Sequence, residues 1–349
     1  MKRLLVLLII ISVTPWAVGQ VGNTAEQWIT GDHNISTTTQ IGSTNDAIIT
    51  QDGNLNTAYQ FQKGNNNDAA VEQIGNENFT DQFQRGFAND LSSLQYGDDN
   101  RVEQEQKGNL NEAWALQVFI CNESYQHQLG NHNFARSIQW GYGNYVDQYQ
   151  KGHKHEAYLL QTGSLNIAEQ WQKGSYHDHV IHQFGEDNTS YLWQYGFAHE
   201  GYIKQVGEDN YNEQWQKGSI HDAFMLTIGK GNYNVQSQGG FNHDAVLIQF
   251  GDHNEAYQHQ RGHCNDAFAV QMGNSNYIDE FQFGTANGVL QEQYGNGNYG
   301  GQFQHGFFNG AIIYQNGNNN NSNQTQNGIA NFAVTIINGN GNNTSIVQH

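Results

Sequence analysis

The chain has 349 residues, 40 glycines, one proline and a formal net charge of −19. Nucleic acid is bound largely through Lys and Arg side chains that neutralise phosphates, so this charge argues against nucleic-acid binding. A composition rich in Gly, Asn and Gln would suit a disordered chain, but disorder does not keep one repeat phase from Asn23 to His349.

Residues 1–19 have the layout of a secretory signal peptide. Lys2 and Arg3 precede an apolar run over residues 4–13, and small residues end the segment. The run is too short to span a bilayer, and no later stretch approaches the roughly 20 apolar residues that spanning needs. We predict an exported chain without membrane insertion. Residues 20–22 form a short lead, and loss of the two cations takes the charge to −21 (−19 − 2).

From Asn23 onward, an eleven-residue pattern repeats to the last residue. Steps of eleven from Gln40 meet Gln at every position up to Gln348 except Thr227 and Ile337. The Asn that opens each unit falls into two alternating columns, so the true period is twenty-two. We call the units type 1 where the opening Asn varies and type 2 where it is constant. Type 1 units change to His at His155, His177, His199, His221 and His243.

The recurring residues occupy alternate positions within a unit, as Ala69, Val71 and Gln73 do. Alternation is typical of a strand with two distinct faces. Two residues link each unit to the next, and the Gly before them supplies the backbone angles of a tight turn. With about 4.8 Å between stacked strands, the pattern predicts an all-β fold over residues 23–349. We expect a two-sheet, cross-β solenoid of about fifteen 22-residue strand-turn-strand coils.

Three columns are predicted to form a structural ladder through the stack. A buried amide without a partner costs about 1 to 3 kcal/mol, so Asn and Gln should hydrogen-bond up and down their own columns, as in cross-β fibrils. Representative members are Asn56, Asn78 and Asn100, then Gln62, Gln84 and Gln106, and at the turn Gly64, Gly86 and Gly108.

The unit Gln-x-Gly-x-x-Asn-x-Ala-x-x-x-Gln, as at residues 62–73, resembles the curlin repeat of bacterial curli amyloid subunits. The resemblance extends from Asn23 to His349. It implies a secreted fibre subunit in the extracellular matrix at the bacterial cell surface. It also implies two partners, an outer-membrane secretion pore and a nucleator subunit of the same repeat type.

An apolar column follows the ends of the type 1 strands. An exposed apolar stripe usually marks a contact surface, although aromatic ladders can also serve only to stabilise the strands that carry them. We predict lateral contacts between fibres at Tyr96, Trp140, Phe184 and Phe250.

Charged columns lie on either side of the turn that follows a type 2 strand. The strands end in Lys or Arg, and the next type 1 strands begin with Asp or Glu five residues later, as in Lys63 and Asp68. The cations are expected to relieve repulsion among the acids, although such exposed pairs contribute little stability. The alternative is an edge that binds divalent cations and bridges fibres.

The histidines of five consecutive turns are candidates for a transition-metal site or a pH switch, because imidazole titrates near neutrality and ligates transition metals. A neutral His can also donate and accept hydrogen bonds as Asn does, and no Cys or carboxylate shares the column. We therefore predict no metal and no cofactor. Cys121 and Cys264 fall on opposite edges about 30 Å apart in the expected stack, so no disulfide is expected to join them.

The predicted function is a secreted structural subunit that polymerises end to end into curli-like amyloid fibres and supports adhesion and aggregation in a biofilm. Solenoids usually carry capping repeats, and the pattern offers none, so open strand edges are expected to template further copies. The alternative is a monomeric secreted β-solenoid that acts as a binding module or surface adhesin. An enzyme is not expected, because a catalytic cleft needs an irregular patch and the eleven-residue spacing has no insertion.

Overall fold

The computed structural model describes residues 22–349, so the predicted signal peptide and the first two residues of the lead lie outside the described residues. These residues form 28 strands and no helix. They divide into two compact units, residues 22–166 and Ile167–His349. The chain is an all-β solenoid of about fifteen coils, as its periodicity predicted.

The first unit contains thirteen strands, most of them nine residues long. They are β1 (Thr24–Thr30), β2 (Ile35–Ser43), β3 (Asp46–Asp52), β4 (Thr57–Asn65), β5 (Asp68–Ile74), β6 (Phe79–Phe87), β7 (Asp90–Asp98), β8 (Arg101–Asn109), β9 (Glu112–Ile120), β10 (Glu123–Asn131), β11 (Phe134–Tyr142), β12 (Tyr145–His153) and β13 (Glu156–Ser164).

The second unit contains fifteen strands, two of which run through a turn. They are β14 (Ile167–Ser175), β15 (Asp178–Glu186), β16 (Thr189–Phe197), β17 (Glu200–Glu208), β18 (Tyr211–Lys230), β19 (Tyr233–Phe250), β20 (Glu255–His263), β21 (Asp266–Met272), β22 (Tyr277–Thr285), β23 (Gly288–Tyr294), β24 (Tyr299–Phe307), β25 (Gly310–Asn316), β26 (Asn321–Ile329), β27 (Phe332–Asn338) and β28 (Asn343–Gln348).

Within each unit, each strand segment pairs in parallel with the segment one coil away; because β18 and β19 each run through a turn, they also pair with each other and with β17 and β20, their neighbours along the chain. In the first unit Asp46 of β3 lies opposite Asp68 of β5, and Thr57 of β4 lies opposite Phe79 of β6. In the second unit β20 and β22 pair with the same offset. The coil spacing is therefore about 22 residues, and type 1 strands form one ladder while type 2 strands form another.

The turns depend on a glycine that no other residue can replace without strain. Gly64 has a φ of +130°, and a Cβ added to it would lie 1.8 Å from the carbonyl oxygen of Gly86 on the next coil. Two residues later Asn66 adopts a left-handed backbone with a φ of 57°. Glycine at the first position and a left-handed residue at the third reverse the chain within three residues.

The interior combines an apolar column with an amide column. Type 1 strands bury residues such as Ile49 and Val71, whereas type 2 strands bury Gln60 and Gln82. The amide of Gln60 also crosses to the other ladder and donates to the carbonyl oxygen of Ile48 at 3.0 Å. Hydrogen bonds from side chains to backbone carbonyls therefore help the apolar contacts to hold the two ladders together.

Candidate functional site

The asparagine column of the first unit satisfies backbone groups at the turn. The side-chain oxygen of Asn56 accepts both the backbone N–H of Asn78 at 3.0 Å and its side-chain amide at 3.1 Å. The same amide of Asn78 donates to the carbonyl oxygen of Gly97 at 2.7 Å. Asn100 repeats these bonds to Asn78. The column thus bonds each coil to the coil before it.

The glutamine column runs in the opposite sense. The Gln62 amide donates to the side-chain oxygen of Gln84 at 3.0 Å, and Gln84 donates to Gln106 at 3.1 Å. Gln62 also donates to the carbonyl oxygens of Asp46 and Asn67. All three glutamines are fully buried. Along the stack, Gln donates its amide toward the following coil, whereas Asn donates its backbone N–H toward the preceding coil and its side-chain amide in both directions, so the two end faces of any coil are different and complementary.

The histidine column of the second unit reproduces the asparagine bonds. The Nδ1 of His177 accepts the backbone N–H of His199 at 3.3 Å, and the Nδ1 of His199 accepts that of His221 at 3.2 Å. The Nε2 atom lies 3.2 Å from the carbonyl oxygen four residues earlier, which for His221 is that of Lys217. Because Nδ1 must accept, the proton sits on Nε2 and each ring is neutral.

Successive rings of this column stack face to face. The ring centroids of His177 and His199 are 4.9 Å apart and those of His199 and His221 are 4.8 Å apart, with 1° between the planes. Burial lowers the pKa of His199 to about 4. Burial, with the neighbouring His199 and His243, lowers the pKa of His221 to about 3. In the first unit, His155 places Nε2 3.2 Å from the carbonyl oxygen of Lys151.

The buried amide column of the type 2 strands, which contains Gln60 and Gln82, has an acid at one position. The repeat pattern alone did not identify this acid as a functional residue. Glu280 lies in register between Gln258 and Gln302, is fully buried and accepts the Gln258 amide at 2.9 Å. Within residues 22–349, no donor reaches Oε1 of Glu280 or Oε1 of Gln302. Burial is the main cause that raises the pKa of Glu280 to about 8. A protonated Glu280 has an O–H that can donate to the side-chain oxygen of Gln302, which has no other donor within residues 22–349. In the sequence, the residue is recognisable because Glu replaces Gln in the series Gln258, Glu280, Gln302 at steps of twenty-two.

The predicted lateral residues lie in register with other apolar side chains. In the first unit, Val118 lies between Tyr96 and Trp140, and Trp140 is exposed. In the second unit, Phe184 and Phe250 are half-buried members of one column, which runs through Val206 and Ile228 between them. The column is apolar from Ile74 to Trp140 in the first unit and from Phe184 to Tyr294 in the second, and its contact with another fibre stays a prediction.

The acid column is not neutralised as expected at four of its aspartates. Burial raises the pKa of Asp68, Asp222 and Asp266, and the neighbouring charges that add to the rise are all carboxylates. Burial together with Glu112 and Asp68 raises the pKa of Asp90 to about 6. The cation column, which ends the type 2 strands, and the acid column, which begins the type 1 strands, lie on opposite outer faces of the solenoid. The buried residues of the two strands face each other across the core, so their outward residues point in opposite directions.

Among the residues that the structure describes, no group of three or more His, Cys, Asp or Glu side chains is close enough to hold a metal ion. Over the same residues, no helix has the length and apolar character needed to cross a membrane. Cys121 and Cys264 are both unbridged thiols.

Comparison with known proteins gives one family. The model of the curlin associated repeat matches residues 42–75, a stretch that contains Gln62, Gly64 and Asn67 of the ladder. No curated protein matches the chain. The family resemblance read from the repeat pattern is thereby confirmed over this stretch, which matches the curlin associated repeat.

Proposed function

We propose that this chain is a secreted structural subunit that polymerises end to end into extracellular, curli-like amyloid fibres. In this proposal the two ladders are the two sheets of a cross-β solenoid with 22-residue coils. The fibres lie at the bacterial cell surface and support adhesion and aggregation in a biofilm matrix. The partners are further copies of the chain and, by family resemblance, a nucleator subunit and an outer-membrane secretion pore.

The observation that carries the proposal is the self-complementarity of the coil. Each coil binds the next through parallel, in-register strands, as β4 does with β6, and it binds the previous coil through the same bonds. Any coil presented at an end can therefore accept a coil of another copy in the same way. The ladder of buried amides extends across such a junction, as in cross-β fibrils.

The direction of growth follows from the polarity of the ladders. One face of a coil offers Gln donors and Asn acceptors, as Gln62 and Asn56 do toward the following coil. The other face offers Gln acceptors and backbone N–H donors. Two identical faces would place donors against donors, so copies must join head to tail.

A structural role agrees better with this chain than a catalytic one. The curlin associated repeat and the solenoid both point to a structural protein. Buried polar side chains of the ladders, such as Gln84 and His199, are already engaged in hydrogen bonds with neighbouring coils.

The test is assembly of the purified chain without the predicted signal peptide, followed by negative-stain microscopy and fibre diffraction. Unbranched fibres with a reflection near 4.8 Å along the fibre axis are expected, and sonicated fragments should seed growth without a lag. Isolated particles that do not grow from seeds would contradict polymerisation and favour the monomeric binding module.

Two glycine variants provide a matched control. Gly86→Ala places a Cβ 1.7 Å from the carbonyl oxygen of Gly108, whereas a Cβ on Gly288 meets nothing within 4 Å. Gly86→Ala should slow or abolish assembly, and Gly288→Ala should assemble like the parent chain. Equal assembly of both variants would show that the fibre does not contain this coil.

A further inference from the structure

The turns that follow the type 2 strands in the second unit expose large apolar side chains. Phe197, Phe308 and Ile329 are 49%, 66% and 71% exposed. We call the following set the apolar edge: Phe197, Ile220, Phe241, Phe307, Phe308 and Ile329. Successive turns are one coil apart, at about 4.8 Å, so these side chains form a strip along the stack, interrupted at residues 263–264 and 285–286.

Two members of the apolar edge occupy a strained backbone conformation. Ile220 and Phe308 are left-handed, with φ of 57° and 56°, which costs an L-residue about 1 to 2 kcal/mol. The equivalent position after the type 1 strands of this unit carries only small or polar residues, as at Asp209, Gly231 and Asn319. Bulky apolar residues kept at a strained, exposed position indicate a role outside the folding of the coil.

The opposite edge of the same unit has a different character. Its turns carry mainly acidic and amide side chains, which include Glu186, Asp187 and Asp252. The cation Lys230 on this edge pairs with Glu208 and Asp209. An acidic edge repels its own kind, whereas an apolar edge of this extent is typical of a contact surface. Of the two edges, only the apolar one suits contact with an identical surface.

Charged columns on either side of the apolar edge identify the occupant and its orientation. Lys217 and Arg261 lie exposed on one side, and Asp222 and Asp266 lie exposed on the other. The charges that act on Asp222 are Glu200 and Asp244, both acidic. A second copy related by a two-fold axis parallel to the stack would bring its cations against these acids.

We propose that two fibres pair laterally through the apolar edge of residues 167–349, in parallel orientation, with the second copy of this chain as the partner. The pairing rests on the proposed fibre and assigns it a specific surface. Lys217 of one copy faces Asp222 of the other, and Arg261 faces Asp266. Antiparallel pairing would bring like charges together. Because the same contact recurs in every subunit, a weak contact per copy suffices.

The test uses electron microscopy to compare the pairing of fibres assembled from the parent chain and from its variants, all without the predicted signal peptide. The variant Phe197→Ser, Phe241→Ser, Phe307→Ser places at these sites the serine that the chain already has at Ser175 and Ser219. It should form single fibres of half the paired width. The control Trp215→Ser removes an exposed aromatic from the sheet face, where the next coil has Ser237, and should leave pairing intact.

A charge exchange tests the parallel orientation. Lys217→Glu with Arg261→Glu should separate the pairs, and adding Asp222→Lys with Asp266→Lys should restore them. A chain that forms no fibres would overturn the proposed function and the pairing with it. Single fibres from the parent chain, unchanged pairs in the serine variant, or no rescue by the charge exchange would overturn the pairing and leave the fibre standing.

Discussion

Phe119 stands at the turn position that glycine holds in every other eleven-residue step from Gly31. It lies between Gly97 and Gly141 on the adjacent coils and takes a φ of 82°. Its carbonyl oxygen still accepts the Asn100 amide at 2.8 Å, so the ladder continues past it. The ring is 58% exposed and gains little from burial. Phe119 is therefore a local defect that the neighbouring coils tolerate.

We expect Phe119→Gly to raise the free energy of unfolding by about 1 kcal/mol, since glycine adopts this φ without a Cβ penalty. The guanidinium concentration that dissolves half of the fibres measures the change. Phe87→Gly, at an exposed turn position without that constraint, is the matched control and should give no gain. A lower midpoint for Phe119→Gly than for the parent chain would contradict the strain at this turn.

The protonation state of Glu280 determines whether the buried amide column can continue its hydrogen bonds from Glu280 to Gln302. Burial raises its pKa from 4.5 to about 8. The unfolded chain ionises this acid above pH 4.5, whereas the folded chain keeps it neutral up to about pH 8. The contribution of Glu280 to stability is therefore full below pH 4.5 and declines as the pH rises to about 8.

The substitution Glu280→Gln restores the amide of the column and removes this decline. We expect the variant to match the parent chain near pH 4 and to exceed it at pH 8 by about 3 to 5 kcal/mol, measured as guanidinium midpoints at the two pH values. Gln258→Glu, which places a second buried acid one coil away, should be less stable than the parent chain at pH 8. A pH-independent difference would contradict a neutral Glu280.

At the scale of the element, the histidine column acts as a substitute for asparagine that is sensitive to acid. Nδ1 of His199 accepts the backbone N–H of the next coil, and a proton there would remove the acceptor and place charges about 5 Å apart in the stack. Burial lowers the pKa of His199 to about 4 and that of His221 to about 3. The folded rings resist protonation that the unfolded chain accepts near pH 6.5.

Stability from this column is full above about pH 6.5 and falls as the pH drops toward 4, because only the unfolded chain gains protons in that window. His199 and His221 should each cost on the order of 2 kcal/mol at pH 4.5 relative to pH 8. His199→Asn with His221→Asn should reduce this acid sensitivity, followed as fibre dissolution at pH 4.5 and pH 8. Equal acid sensitivity with and without the histidines would count against the mechanism.

At the scale of the whole molecule, exposed apolar columns are predicted to form the lateral contacts between fibres. Tyr96, Trp140, Phe184 and Phe250 end type 1 strands and lie in register with apolar neighbours. Substitution of these side chains does not alter the core or the ladders, because they point outward and the buried residues of the same strands point inward.

Aspartate at these four positions should leave the individual fibres and their pairing through the apolar edge intact and should prevent bundling through this column, since charge opposes apolar contact. Sedimentation and electron microscopy measure the bundled fraction. Threonine at the same four positions is the control for charge, because the chain itself has Thr162 in this column, and it should weaken bundling less. Bundles unchanged by aspartate would rule out this surface, independently of the apolar edge.

Much of the fold could be predicted because a 22-residue period constrains every column at once. A one-residue slip in register would turn the buried side chains of a strand outward, so the alternation of Ala69, Val71 and Gln73 determines the strands, and the repeat determines their partners. The ladder residues followed for the same reason. A buried amide must be paired, and in a stack the available partner is the equivalent residue one coil away.

The sequence by itself determined the solenoid, its register and its resemblance to curlin repeats, because those properties depend on residue types at fixed spacing. Only the tertiary structure decided the tautomer of His199, the protonation of Glu280 and the exposure of the apolar edge at Phe197 and Phe308. These properties depend on desolvation and on atoms of adjacent coils, and a repeat pattern contains no measure of either.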